Sequence, residues 1–130
     1  MIVRSLFDKI ASPRLHAMMV WEGILGGDRS ALMPSESDPR IGRVWDGEAA
    51  TGKAVASVLL KGIPNPKPEL LHHPAWDIYL VYPPGVRWAG AAPPPPAAWM
   101  HQLGPLMTVT PERRLDGDKL YRIVSDLVPR

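Results

Sequence analysis

Two adjacent histidines precede an apolar run in the stretch LLHHPAWDIYLVYPPGVRW, residues 70–88. Imidazole nitrogens bind Zn²⁺, Ni²⁺ or Cu²⁺ when three of them converge, commonly beside a carboxylate. The candidate ligands are His72, His73 and His101, with Asp77 as the carboxylate. Because neighbours on an extended chain point to opposite faces, we expect only one of the paired histidines to share a site with His101. A divalent-metal site is therefore one hypothesis for function.

General acid–base catalysis is a second chemistry open to these residues. His73 and Asp77 lie four residues apart across Pro74, which bends the chain and leaves their convergence undecided. The structural alternative is that one histidine is exposed while the other hydrogen-bonds locally and orders the turn before Pro74. In the metal hypothesis, Glu69 could replace Asp77 as the carboxylate ligand, and Met100 beside His101 would add a soft ligand for copper. A metal-dependent or acid–base enzyme is thus the alternative to a protein without catalysis.

The segment GEAATGKA, residues 47–54, fits the spacing of a phosphate-binding loop, G-x-x-x-x-G-K. That chemistry also needs a Ser or Thr after the lysine to reach Mg²⁺, and Ala54 stands there. The preceding apolar stretch, 41–45, is short for the buried strand that such a loop follows. A capped, alanine-rich helix with solvent-exposed Gly52 and Lys53 is the simpler interpretation, so the pattern argues against nucleotide binding.

Composition excludes several classes of protein. The 130 residues contain no cysteine, which removes disulfides, thiolate metal sites and cysteine nucleophiles. The net charge is only +2, and the Arg113-Arg114 pair is flanked by Glu112 and Asp116, so nucleic acid is not the expected partner. One asparagine, one glutamine and 16 prolines fit either a heat-adapted source or a GC-rich genome. Without an apolar stretch of about 20 residues we expect no membrane span and a cytoplasmic protein.

Five tryptophans are many for a core of this size, and tryptophan, methionine and arginine are enriched at protein interfaces. Arg87 and Trp88 before the proline run, and Trp99 and Met100 after it, are the candidate binding residues. The alternative is that the tryptophans fill the core. The run Pro93–Pro96 is either a rigid connection or itself a ligand for an aromatic-lined domain.

The N-terminal half is expected to be mainly helical. Residues 2–10 carry apolar side chains at helical spacing, and this amphipathic piece could alternatively contact a membrane surface. Ser12-Pro13 predicts the start of a second helix that ends at Gly26-Gly27 and is apolar almost all round. A short strand is predicted at 41–45, followed by a third helix that Asp46 caps.

The C-terminal half is expected to supply the sheet. Residues 77–82 predict a central strand, because both of its faces are apolar. Pro84-Gly85 predicts a type II turn, after which residues 86–88 would return as the hairpin partner. Further strands are predicted at 99–103 and 106–109. An amphipathic helix that begins at either Thr110-Pro111 or Asp116-Gly117-Asp118 ends the chain.

These patterns predict an α+β fold in which a small antiparallel or mixed sheet of about three to five strands packs with N-terminal helices and a C-terminal amphipathic helix. We expect one compact domain over 1–130, with 1–11 as an N-terminal arm and 89–98 as a proline-rich loop. The function favoured is binding without catalysis, through protein–protein contact or homodimerisation by the apolar helices and the Trp/Pro-rich loop. No cofactor is expected unless the histidines bind Zn, Cu or Ni.

Overall fold

Three α-helices and four β-strands are found in residues 1–64, 73–102 and 110–129, the part of the chain that the computed structural model describes. In chain order they are α1 (Ile2–Lys9), β1 (Ala17–Glu22), β2 (Ile41–Asp46), α2 (Ala50–Leu59), β3 (Ile78–Val81), β4 (Ala98–His101) and α3 (Gly117–Leu127). The α+β class is confirmed. A single sheet of three to five strands is not, since the described strands form two separate pairs. The predicted strand at 106–109 lies outside the described residues.

The chain divides into two compact units. The first unit contains residues 1–15, 77–87 and 96–130, and therefore α1, β3, β4 and α3. The second unit contains residues 16–76 and 88–95, and therefore β1, β2 and α2. Each unit has buried apolar side chains of its own. They include Leu6, Phe7, Met100, Leu120 and Val124 in the first unit, and Ile41, Val55, Ala56, Leu59 and Ile63 in the second.

In the second unit, β1 and β2 run parallel, with Ala17 opposite Ile41 and Glu22 opposite Asp46. The second N-terminal helix predicted from Ser12-Pro13 to Gly26-Gly27 is therefore wrong, because its apolar centre is β1. An element that is apolar on all sides fits a parallel strand as well as a buried helix. The predicted strand at 41–45 is confirmed.

In the first unit, β3 and β4 are antiparallel, with Ile78 opposite His101 and Val81 opposite Ala98. The predicted turn at Pro84-Gly85 is present, and Gly85 has the positive φ of 84° that such a turn requires. The hairpin partner predicted at 86–88 is wrong, since β4 takes that place. Proline-rich chain fills the connection, and prolines lack the N–H groups that a paired strand needs.

The helices of the first unit match their sequence patterns. α1 buries Leu6 and Phe7, and α3 buries Leu120 and Val124. The carboxylate of Asp116 caps α3, since its Oδ1 accepts the N–H groups of Asp118 (3.0 Å) and Lys119 (2.9 Å). Among the described helices, none has the length and apolar character needed to cross a membrane.

Removal of the cap on α3 should destabilise the first unit. In Asp116→Ala, two N–H groups at the start of α3 lose their acceptor, and we expect the free energy of unfolding to fall by about 1 kcal/mol. Chemical denaturation measures the loss. Asp116→Asn, which keeps an oxygen acceptor, should restore most of it. An alanine variant as stable as the wild type would show that the cap contributes nothing.

Candidate functional site

The carboxyl ends of β1 and β2 meet the first turn of α2, all within the second unit. Asp46 ends β2, and its Oδ2 accepts the N–H of Thr51 at 2.7 Å. Partial burial acts to raise the pKa of Asp46, but hydrogen bonds from the N–H groups of residues 48, 50 and 51 outweigh it and hold the pKa below its usual range. Asp46 is predicted to cap this helix, but the N-cap residue is Ala49, which makes no side-chain capping hydrogen bond; Asp46 accepts the N–H of Thr51 from three residues further back.

Glu22 ends β1 directly opposite Asp46. Burial and, to a smaller extent, the nearby Asp46 carboxylate together raise the pKa of Glu22 to about 7, against a hydrogen bond from the N–H of Gly52 that acts to lower it. The other carboxylate oxygen, Oε2, is buried and has no hydrogen-bond partner among the described residues. Two acidic groups with opposite pKa shifts thus lie side by side, with Asp46 ionised and Glu22 titrating near neutrality.

Gly52 is the residue on which three segments converge. A Cβ atom at this position would overlap Oε1 of Glu22 and lie 2.7 Å from the carbonyl oxygen of Ala75. The Gly52 carbonyl accepts the N–H of Ala75 at 2.9 Å. Only a glycine leaves room for both the β1 carboxylate and the 73–76 backbone. This explains the glycine inside an otherwise regular helix.

The same contacts bear on the phosphate-loop pattern at residues 47–54. A strand does precede the segment and a helix does follow it, as the pattern requires. However, the N–H groups at the start of α2 already bind the carboxylates of Asp46 and Glu22. The Lys53 ammonium donates to the Glu48 carbonyl at 3.0 Å. Acidic groups occupy the position in which a phosphate would have to bind, which speaks against a nucleotide.

His101 lies in the core of the first unit and is 0% exposed. Its Nε2 lies 2.9 Å from Oγ1 of Thr110 and 3.3 Å from the Thr110 carbonyl oxygen. Burial lowers the pKa of His101, and the hydrogen bond to Thr110 opposes this effect. The backbone of His101 also accepts the N–H of Leu115 at 2.9 Å. These contacts describe a neutral histidine that ties β4 to the following chain.

The other proposed metal or acid–base residues are either exposed or outside the described residues. His73 and Asp77 are exposed, and His72 and Glu69 lie outside the described residues. Asp77 has a positive φ of 51°, and its carbonyl accepts the N–H of Gln102 at 3.0 Å. Within residues 1–64, 73–102 and 110–129, no three His, Cys, Asp or Glu side chains are grouped so that they could hold a metal ion. A metal site that includes His72 stays a prediction.

The candidate binding residues are unequally accessible. Arg87 and Trp88 are exposed, and the indole N–H of Trp88 donates to the Gly90 carbonyl at 2.6 Å. Trp99 and Met100 are buried, 9% and 2% exposed. The guanidinium of Arg113 lies 4.4 Å from the centre of the Trp99 ring, a cation–π contact within the first unit. Of these four residues, Arg87 and Trp88 are the ones that offer surface to a partner.

No family model, curated protein or solved structure matches this chain.

Sequence reasoning missed the cluster formed by Glu22, Asp46 and Gly52. Glu22 was visible only as a charge that interrupts an apolar stretch, and Gly52 only as part of an incomplete motif. Two signals could have found them. A glycine inside a helical pattern indicates a close approach, and a carboxylate at the end of an apolar strand indicates a helix terminus or another donor nearby.

Proposed function

We propose that this protein is a binding domain without catalysis whose partner is a second copy of itself, joined through the exposed edge strand β2. The exposed apolar residues that support this proposal lie mainly in the second unit. Eight large apolar side chains are exposed in the described part of the chain, and six belong to this unit. These six are Met18, Ile24, Leu25, Leu32, Val44 and Trp88. Among the described residues of the first unit, the exposed large apolar side chains are Met1 and Val86.

The single observation that carries the proposal is the incomplete parallel sheet. Parallel sheets are normally covered on both faces, and stable sheets usually contain more than two strands. Here β1 and β2 pair only with each other in the described residues, and Val44 in the middle of β2 is 43% exposed. An edge strand of this kind is a template for pairing with another strand.

A second copy of the chain can pair with this edge about a two-fold axis. Antiparallel pairing of two β2 strands about a two-fold axis at Val44 would join the pairs into a four-stranded sheet. The two Val44 side chains would then face each other. Arg43 of each copy would lie opposite Trp45 of the other, which supplies two cation–π contacts. This arrangement is closed, so it makes a dimer and not a fibre.

The test replaces the residue on the proposed axis. In Val44→Lys, two like charges would face each other across the dimer, and we expect the dissociation constant to rise at least about tenfold. Because Val44 is exposed, the free energy of unfolding of the monomer should change by less than about 0.5 kcal/mol. Sedimentation velocity over a concentration series measures the association.

Val86→Lys is the matched control. Val86 is 42% exposed and belongs to the first unit, so the same substitution there should leave association unchanged. Equal weakening by both variants would point to a general charge effect, and no weakening by Val44→Lys would exclude β2 as the interface. Trp88→Ala tests the alternative interface at the proline-rich loop. We expect this substitution to leave the dissociation constant unchanged.

A further inference from the structure

The 73–76 segment is attached to the second unit beside the carboxyl of Glu22. The Ala75 N–H donates to the Gly52 carbonyl at 2.9 Å, while the Gly52 N–H donates to the Glu22 carboxyl. One residue of α2 therefore binds β1 through its N–H and the 73–76 segment through its carbonyl. Since Gly52 has no Cβ, the Glu22 carboxylate and the Ala75 carbonyl oxygen approach the same small volume.

The charge of Glu22 determines whether the packing of the 73–76 segment beside Gly52 is favourable. When Glu22 is protonated, a neutral carboxyl shares the space beside Gly52 with the Ala75 carbonyl. When it is ionised, a buried oxygen without a donor carries negative charge next to that carbonyl and to the Asp46 carboxylate. Repulsion and the loss of hydration then both act against the packed state.

Within the described residues, no positive charge on a neighbouring element acts to lower the pKa of Glu22. β2 presents Asp46, which is acidic. The first turn of α2 brings Lys53, whose ammonium binds the Glu48 carbonyl. In the 73–76 segment the titratable residue is His73, which is exposed.

We propose that Glu22 is a proton-dependent latch: its neutral carboxyl lets the 73–76 segment pack on the first turn of α2, and its ionisation releases that segment. The latch residues are Glu22, Asp46, Gly52 and Ala75, so Val44 on the proposed dimer axis is not among them, although Asp46 lies on the same strand. The bonds that change are the hydrogen bond from Ala75 to Gly52 and the O–H bond of Glu22, whose proton passes to solvent.

Hydrogen exchange of the Ala75 amide tests the latch. After correction for the intrinsic exchange rate, its protection should fall about tenfold between pH 5.5 and pH 8.5, since Glu22 titrates at about 7 and a change of one pKa unit corresponds to a factor of ten. We expect less than the full shift because the side chain is partly exposed. The Ala17 amide, which donates to the Arg40 carbonyl at 2.9 Å, should keep its protection. An equal fall at both amides would mean general unfolding and would overturn the latch.

Two variants assign the effect to Glu22. Glu22→Gln is neutral at every pH, so Ala75 protection should no longer depend on pH. Glu48→Gln changes an exposed carboxylate of the same unit and should behave as the wild type does. A pH dependence that persists in Glu22→Gln, or disappears in Glu48→Gln, would contradict the proposal.

A measurement on the wild type covers the case in which Glu22→Gln does not fold. The side-chain carboxyl carbon of Glu22 and the amide of Ala75 can both be followed by NMR as the pH is raised. The latch requires one common midpoint. Different midpoints, or an Ala75 amide that does not titrate, would overturn it.

Discussion

Replacement of Gly52 by alanine should lower the free energy of unfolding by at least about 2 kcal/mol, because the new methyl group has no free space. It would overlap the Glu22 carboxylate, which can move, and the Ala75 carbonyl, which is backbone and cannot move alone. The loss should appear although alanine is the better helix former by about 1 kcal/mol. Urea denaturation measures the free energy of unfolding of Gly52→Ala and of the variants compared with it.

Gly62→Ala is the control for Gly52→Ala. A Cβ at Gly62 would meet no atom within 4 Å, so stability should change by less than about 0.5 kcal/mol. In the double variant Gly52→Ala/Glu22→Ala, part of the loss should be recovered, because the overlap with the carboxylate disappears while the overlap with Ala75 remains. A Gly52→Ala protein as stable as the Gly62→Ala protein would show that the three segments do not pack as described.

His101→Ala should destabilise the first unit by about 3 kcal/mol, since the substitution leaves a cavity and removes the hydrogen bond to Thr110. His73→Ala is the control, because His73 is exposed and its loss should have little effect on stability. If His101 were instead a metal ligand, added Zn²⁺ would stabilise the wild type and not the His101→Ala variant. We expect no such difference.

The decrease in the free energy of unfolding caused by His101→Ala should also depend on pH. Burial holds the pKa of His101 below its unfolded value of 6.5, so the folded state stays neutral while the unfolded chain takes up a proton. The stability that His101 contributes is therefore present above pH 6.5 and decreases as the pH falls through the folded pKa. The difference between wild type and His101→Ala should accordingly narrow from pH 7.5 to pH 5. A difference that widens would mean that His101 is charged in the folded protein.

Local patterns in the sequence were sufficient for most elements. The helices at 2–9 and 117–127 follow from apolar spacing, and the latter also from the cap at Asp116. The strands at 41–46 and 78–81 follow from short apolar runs. In each of these helices and strands, the residues that determine the secondary structure are close together in the sequence.

Elements that depend on distant partners were not predictable in the same way. The apolar residues between Ala17 and Leu25 have helical spacing and therefore predict a helix where β1 lies. Only the pairing with β2 distinguishes the strand from a helix. The turn at Pro84-Gly85 predicts a partner for β3 at residues 86–88, but the partner is β4. A turn signal shows that the chain reverses its direction, and it does not show where strand pairing begins again. The Glu22–Gly52 contact joins residues of different elements, and no spacing rule connects them.

The most direct test of the dimer proposal is the mass of the wild-type protein in solution. For a modest interface we expect a dissociation constant of roughly 1 μM. Sedimentation equilibrium at protein concentrations up to about 100 times that value should give twice the chain mass of 14.3 kDa. Dissociation to the chain mass should follow on dilution. A protein that keeps the 14.3 kDa mass over the whole range would contradict self-association through β2.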